Sequence, residues 1–285
     1  MLYKLNNEEK KDMLIFNKLP FNIQIMYNKL TTVFDAEDKV VYVNDDNTCI
    51  VTRNGKNPIW VYCADYRELD NVIDLLLKLF KETPEDISVV TDAATMKYIK
   101  YSLAELHNDL SLIACKKDWL MPYYCTKVND RFKDFKYNVD CNVITFDDNN
   151  FNNYYTDIFT MQKEFFEYIG KPKTDEELEK RVNNLIDEKS KLYLLINSEF
   201  KAVSMCITRK HFNFNGLCGV VTAEQYKGNH YSTDLVAEVT KRIIEHSDLP
   251  VLYAQSENKI SNSMYQNIGY IKSWELVQYI NKRGK

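Results

Sequence analysis

LCGVVTAEQYKGNHYSTDLVAEVTKRIIEHSDLPVLYAQSENKISNSMYQNIGY, residues 217–270, is the stretch whose reading decides this chain. Gly219-Val220-Val221-Thr222 reads as a strand. Gln225-Tyr226-Lys227-Gly228-Asn229-His230-Tyr231-Ser232 follows as a tight basic loop, and Leu235, Val236, Val239 and Ile243 then share one helical face. Pro250 to Ala254 is a second strand, after which come Asn258, a short helix with Ser261 and Tyr265, and Gly269-Tyr270. A glycine-containing loop between a strand and a helix suits phosphate. The helix's first turn has unpaired N–H groups at the positive end of its dipole, Gly228 lets the backbone come close, and Lys227 adds a full charge.

Upstream, Cys141 to Phe146 reads as a strand and Asn153 to Tyr168 as a helical region containing Phe165 and Phe166. Thr174 and Glu177 form a capping box for a helix with Leu178, Val182, Leu185 and Ile186 as its buried stripe. Lys191 to Ile196 and Ala202 to Arg209 fit a hairpin across Asn197 to Phe200. Val203, Met205 and Ile207 alternate with Ser204, Cys206 and Thr208. Asn215-Gly216 is the strongest turn signal in the chain. With a last strand region at Ile271 to Ile280, the order is β, α, α, three antiparallel strands, α, β, α, β.

The first half opens with helical sequence to about Leu30, then strands at Lys39 to Val43, Thr48 to Thr52 and Ile59 to Cys63. Asp65 and Glu68 form a capping box for a helix burying Leu69, Val72, Ile73, Leu76 and Phe80. Ile87 to Val90 is a strand, Ala93 to His107 a helix, and Leu110 to Ala114 and Trp119 to Cys125 are further strands. The charged, aperiodic run Lys127 to Tyr137 is the expected link, with a boundary near Lys136. The fold class is therefore α/β (α+β), with domains at 1–136 and 137–285.

Bulk properties agree with a folded chain and limit its partners. The 285 residues are 45% hydrophobic and 27% charged with a net charge of −4, so no strong field draws nucleic acid or an anionic membrane. Seven cysteines without a CxxC pair read as reduced core thiols, Cys218 among them as a buried structural thiol rather than a nucleophile. Four histidines (His107, His211, His230, His246) lack metal-ligand spacing, so no metal is expected. No secretory leader or membrane-length apolar run is evident, and a cytoplasmic location is the default.

The stretch resembles the Gcn5-related N-acetyltransferase family, whose third hairpin strand leads into an (Arg/Gln)-x-x-Gly-x-(Gly/Ala) loop. Here Gln225 to His230 occupies that loop, and Asn258, Ser261, Tyr265 and Gly269-Tyr270 keep the family's order downstream. The resemblance covers roughly Cys141 to Ile280. It implies a C-terminal acyl-CoA N-acyltransferase fold, a mixed, mostly antiparallel sheet flanked by helices, beside an N-terminal α/β domain.

It also implies acetyl-CoA as co-substrate. Lys227, Gly228, Asn229, His230, Tyr231 and Ser232 would cradle its pyrophosphate. The backbone of Val220, Val221 and Thr222 would pair with the pantetheine arm, and Val220 or Val221 N–H would polarise the thioester carbonyl. Asn258 would bond the pantetheine or cap the following helix, and Ser261 would face the same arm as Tyr265, the general acid. Glu164, Glu167 and Glu224 are candidate bases that spacing does not separate. Phe165, Phe166 and Tyr168 fall where the family lines its acceptor site.

His230 departs from the family's second small position. Its side chain would either turn outward, toward solvent or a phosphate, or weaken cofactor binding. The first half has no glycine between Ile87 to Val90 and Ala93, so it offers no equivalent loop, and it reads as a degenerate second copy of the fold. That copy would cover the acceptor side or form an interface, a homodimer among the options. The expected function is direct N-acetyl transfer to a primary amine on a small molecule or peptide. A catalytically inactive acyl-CoA-binding or structural module is the alternative, and transfer of a longer acyl chain a third.

Overall fold

Alternation between Ala202 and Thr208 does not separate core from solvent. Val203, Met205 and Ile207 are buried, and so are Ser204, Cys206 and Thr208. A strand buried on both faces needs helices above and below it, and the computed structural model supplies them. It describes residues 2–10, 40–46, 48–53, 58–83, 85–106, 112–114, 120–132, 141–146, 151–185, 190–211, 214–273 and 275–281. Of the stretch to Leu30 expected to be helical, Tyr3–Lys4 is instead a strand and residues 7–10 are helical, while residues 11–30, the boundary at Lys136 and Cys115 lie outside the described residues.

In chain order the first elements are β1 (Tyr3–Lys4), β2 (Val40–Val43), β3 (Cys49–Arg53), β4 (Ile59–Cys63), α1 (Leu69–Glu82), β5 (Ile87–Asp92), α2 (Ala93–Leu106), β6 (Leu112–Ala114) and β7 (Leu120–Tyr124). Then come β8 (Asn142–Phe146), α3 (Phe151–Tyr168), α4 (Asp175–Asn183), β9 (Ser190–Ile196), β10 (Ala202–His211), β11 (Phe214–Thr222) and α5 (Tyr231–Glu245). The chain ends with β12 (Leu249–Gln255), α6 (Lys259–Ile268), β13 (Ile271–Lys272) and β14 (Leu276–Asn281).

Two compact units result. One comprises Met1–Pro122, Ala254–Asn258 and Ser273–Lys285, and the other Tyr123–Tyr253 and Lys259–Lys272. The first unit runs β1-β2-β3-β4 antiparallel, then β4-β5 parallel. The second runs β8-β9-β10-β11 antiparallel, then β11-β12 parallel. The same order and sense thus occur twice. Beyond the parallel strand, each unit takes chain from the other half of the sequence: β14 pairs with β5 in the first, and in the second Cys125 N–H, just after β7, donates to Pro250 O of β12 at 3.0 Å.

Burial explains the elements. Leu69, Val72, Ile73, Leu76 and Phe80 on α1 are all at most 2% exposed and pack with β3, β4 and β5. In the second unit, Ile158 and Met161 of α3 and Val182 of α4 pack on Leu192, Leu194, Met205, Ile207 and Val221. Helix α5 packs against β9, β10 and β11 outside that cluster. At roughly 25 cal/mol per Å² of apolar surface, each such side chain contributes about 1.5–3 kcal/mol. The Thr174–Glu177 capping box that opens α4 is present in both directions.

Several local expectations are corrected. Asp65 caps a short 3-10 turn, Tyr66–Glu68, through Arg67 N–H, and α1 begins after it without a capping box. Asn215 and Gly216 are strand residues paired with Lys210 and Arg209; the register His211↔Phe214 puts the connection at residues 212–213, outside the described residues. Cys49 and Cys63 stand opposite each other on β3 and β4 and are joined as a disulfide, so they are not reduced thiols. Cross-strand register decides that pairing, and cysteine spacing alone cannot show it. Cys125, Cys141 and Cys206 are buried and outside any disulfide, whereas Cys218 is exposed, contrary to expectation.

The charged run after Lys127 is more than a link. Asn129 N–H donates to Ile268 O at 2.8 Å, and Asn129 Nδ2 and an Arg131 Nη donate to Asn267 O at 2.7 and 2.9 Å. These bonds satisfy the carbonyl end of α6. Gly269 (φ 124°) lets this segment pass, because a Cβ there would lie 2.6 Å from Lys127 O.

Candidate active site

The parallel ladder between β11 and β12 runs from Phe214↔Leu249 to Leu217↔Leu252 and no further. Beyond it β11 carries a bulge. Ile207 pairs with Cys218 and Met205 with Val221, so three steps on β11 match two on β10. Gly219 sits in the bulge at φ 58°, where an L side chain is strained. Ala223 N–H donates to Val203 O (3.1 Å), and Val221 O accepts from Ser204 Oγ (2.8 Å), so Val221 and Ala223 face β10. Strand alternation therefore turns the backbone groups of Thr222, and of Val220 on the other side of Val221, to the opposite edge. That edge is the one from which β12 has departed.

Thr222 leads into residues 223–230. Glu224–Tyr226 forms a 3-10 turn, Gly228 stands at φ 85° with open space where a Cβ would be, and Asn229 Nδ2 donates to Tyr226 O at 3.1 Å. His230 is exposed and takes the left-handed conformation (φ 61°, ψ 12°) as the residue before α5. No side chain caps that helix. The first-turn N–H groups at Tyr231 and Ser232 thus begin a 15-residue helix with its positive end toward the loop. Lys227 pairs with Glu224 and lies over the Tyr168 ring, 5.7 Å from its centroid. Glu164 Oε2 accepts from Glu224 N–H at 3.0 Å, which fixes one candidate base at the end of β11.

One acid stands in this first turn. Asp234 is only 7% exposed, and burial raises its carboxyl to about 6, with His230 opposing that rise. On α6, Ser261 and Tyr265 lie one turn apart. Tyr265 is buried between the rings of Tyr123 (6.2 Å) and Tyr270 (5.9 Å), and burial, then Cys206, Cys218 and Tyr123, raises its hydroxyl above the ordinary value. Such a phenol stays protonated at neutral pH. Helix α6 packs on α5, and Thr240 Oγ1 shares a 2.8 Å hydrogen bond with Tyr270 hydroxyl. Val220, Val221, Thr222, residues 227–232, Ser261 and Tyr265 therefore all lie in the second unit. Asn258 is grouped with the first, where its N–H donates to Gln255 O at 3.1 Å. Among the described residues no group of three or more His, Cys, Asp or Glu is placed to hold a metal ion.

Similar proteins agree with this geometry. A Gcn5-related N-acetyltransferase from Sphaerobacter thermophilus has a TM-score of 0.63 at 12% identity, covering 100% of this chain and 96% of its own. A GNAT-family acetyltransferase from Colwellia psychrerythraea gives 0.59 at 12% identity, with coverage of 99% and 100%. No curated protein matches in sequence. Residues 195–278 match the family model described as FR47-like protein. At these identities the likeness is one of fold, the Gcn5-related N-acetyltransferase fold. Over its whole length the chain has that family's fold in tandem. It is similar to a tandem GNAT protein from the clavulanic acid biosynthesis pathway, with a TM-score of 0.61, 10% identity and coverage of 100% and 99%.

Within a GNAT fold, the junction in the first unit that corresponds to the loop is the one after β4, residues 64–68, and not the residues after β5 that the sequence suggests. It holds no glycine. It carries Asp65, which accepts from Arg67 N–H and is ion-paired with that guanidinium at 2.7 Å, and Glu68. Acids at a helix start repel phosphate, whereas the second unit offers Gly228, Lys227 and an uncapped helix. The residues of the second unit thus fit a coenzyme A thioester and those of the first do not. Sequence reading passed over Gly219 as an ordinary strand residue. An isolated glycine within an apolar strand was the available signal for a bulge.

Proposed function

We propose that this protein is an N-acetyltransferase that moves an acetyl group from acetyl-CoA directly to a primary amine of a small molecule or peptide. The observation that carries this reading is the parting of β11 from β12 at Leu217, with the Gly219 bulge leading straight to the uncapped start of α5. Acetyl-CoA supplies an acyl group already activated as a thioester. The free edge of Val220 and Thr222 would align its pantetheine arm as another strand does. Val220 N–H is the backbone donor we assign to the carbonyl oxygen, because Val221 faces β10. Residues 227–232 would hold the pyrophosphate through N–H groups and the Lys227 charge.

Direct transfer needs two proton transfers and one developing charge to be managed. The amine must be neutral when it attacks, the carbonyl oxygen must be stabilised as it gains charge, and the departing sulfur needs a proton. Tyr265, kept protonated by burial, is assigned the last of these. Glu164, held in place by Glu224 N–H, is the carboxylate we assign to the amine's proton, directly or through water. Cys218 has no histidine partner among the described residues and is not assigned as an acyl carrier.

A binding module without turnover is the second reading, favoured by the engagement of Glu224 with Lys227 at the loop. Release of free thiol from acetyl-CoA across a panel of amines separates the two. Acceptor-dependent release supports the enzyme, and binding without release on any amine supports the module. Tighter binding of longer thioesters would mark a longer acyl donor. We assign neither nucleic acid nor membrane as a partner; no helix among the described residues is long and apolar enough to cross a membrane. A cytoplasmic location is part of the proposal.

A further inference from the structure

Gln162 is fully buried in α3 and uses both ends of its amide on side chains. Nε2 donates to Met205 Sδ at 3.4 Å, and Oε1 accepts from Arg181 Nε at 2.9 Å. The Arg181 guanidinium lies over the Phe166 ring, 5.0 Å from its centroid. An amide in an apolar core is costly unless it is fully used. Here its use is to hold one guanidinium in one orientation. No carboxylate is paired with Arg181 among the described residues.

The surroundings of Arg181 are cationic and adjoin the bulge. Met205 and Ile207 face α3 and α4, and alternation puts Arg209 on that same face, where its Nε donates to Ser190 Oγ at 3.1 Å. Cys218 is opposite Ile207 and directly precedes Gly219, whose missing Cβ would point at Ile207 Cδ1, 2.9 Å away. Partial desolvation by the surrounding protein raises the Cys218 thiol's pKa, and Arg209 and Arg181 oppose that rise. Desolvation lowers Arg181, Cys218 opposes that, and Arg209 adds to it.

We propose that this face is a site for a carboxylate or phosphate group of the acceptor, with the Arg181 guanidinium as its direct ligand and Gln162 as the positioning residue. The assignment to an acceptor rests on the N-acetyltransferase reading, since the site lies one residue before the bulge that would present the thioester. A planar guanidinium matches either anion with two parallel hydrogen bonds, and the amine to be acylated would belong to the same molecule.

Cys218, the exposed thiol among those described, reports occupancy of the site without any turnover. Its alkylation by iodoacetamide is followed by peptide mass spectrometry on the full chain in the presence of N-acetylglycine, N-acetylglycinamide or inorganic phosphate. The carboxylate or the phosphate is expected to protect Cys218 saturably and the neutral amide to leave it reactive. Whichever anion protects at lower concentration identifies the group. Arg181→Gln is expected to raise the protecting concentration about tenfold to a hundredfold, the size of hydrogen bonds to a charged group, compared well below the melting temperature, which loss of the Gln162 bond should lower. Gln162→Met, which keeps the charge but frees the guanidinium, is expected to fall between. Equal protection by the amide, no protection by either anion, or full protection retained in Arg181→Gln overturns the site. Glycylglycine and glycylglycinamide are then compared as acceptors. If acetyl-CoA binds and the amide is acetylated as well as the acid, the link to the acceptor is overturned. If acetyl-CoA does not bind, the transferase reading fails, while protection of Cys218 still decides the site.

Discussion

Replacing Gly219 with alanine probes the bulge on which the site depends. At φ 58° an L-residue costs roughly 1–2 kcal/mol relative to glycine. The new Cβ would also stand 2.9 Å from Ile207 Cδ1. That methyl ends a flexible side chain and can rotate aside, so the backbone sets the magnitude. Gly219→Ala is expected to lower the unfolding free energy by about 1–2 kcal/mol, measured by urea unfolding, with the melting point falling about 2–4 °C per kcal/mol for a unit of this size. Ile207→Val removes Cδ1 and separates the two causes in a double-mutant cycle. A backbone cause predicts little coupling, and full recovery in the double variant would show that the contact was responsible. Acetyl transfer should fall further than stability, because Val220 N–H is re-aimed and one misplaced oxyanion donor is worth about 10²–10³ in rate. An unchanged stability, within about 0.5 kcal/mol, together with unchanged turnover would refute the reasoning.

Tyr265→Phe is expected to lower acetyl-transfer turnover about 10²–10⁴-fold while the dissociation constant for acetyl-CoA stays nearly the same; loss of affinity with turnover intact would make Tyr265 a packing residue only. His230→Gly relieves a left-handed side chain at the cost of a freer unfolded chain, so calorimetry should show a gain of about 1 kcal/mol or less. Because the imidazole is exposed, acetyl-CoA affinity should hold, and a collapse of affinity would place His230 on the phosphate. Asp234 titrates near 6 in the fold against an ordinary 3.8. Between those values the folded state holds the proton that the unfolded state has released, so stability falls as pH rises through the window, by at most about 3 kcal/mol. Asp234→Asn should abolish that slope and raise stability at pH 7, and a slope that persists in the variant would trace to another group.

Much of the second unit was legible because its signals are local. The Thr174–Glu177 capping box, the apolar face of α5 and the order of strands all follow from neighbours in sequence. What was hidden depends on register and on which edge a strand joins. Asn215-Gly216 looks like a turn on its own, yet pairing with Arg209 and Lys210 absorbs it into β11. Cys49 and Cys63 meet only because β3 and β4 align them. Likewise β14 reads as the last strand of the second half, while its ladder with β5 places it in the first unit. Within the site, Gly219 was visible as a residue but not as a bulge. Nothing in the sequence singles out Arg181; only its bond to buried Gln162 does.

The central claim is that one of two topologically equivalent junctions has kept a phosphate site while the other, with Asp65 and Glu68, has not. Isothermal titration of the full chain with acetyl-CoA tests it most directly. One molecule bound per chain, weakened when Lys227 is changed to Glu, is the outcome this account predicts. No heat of binding at millimolar acetyl-CoA, or two molecules bound per chain, would contradict it.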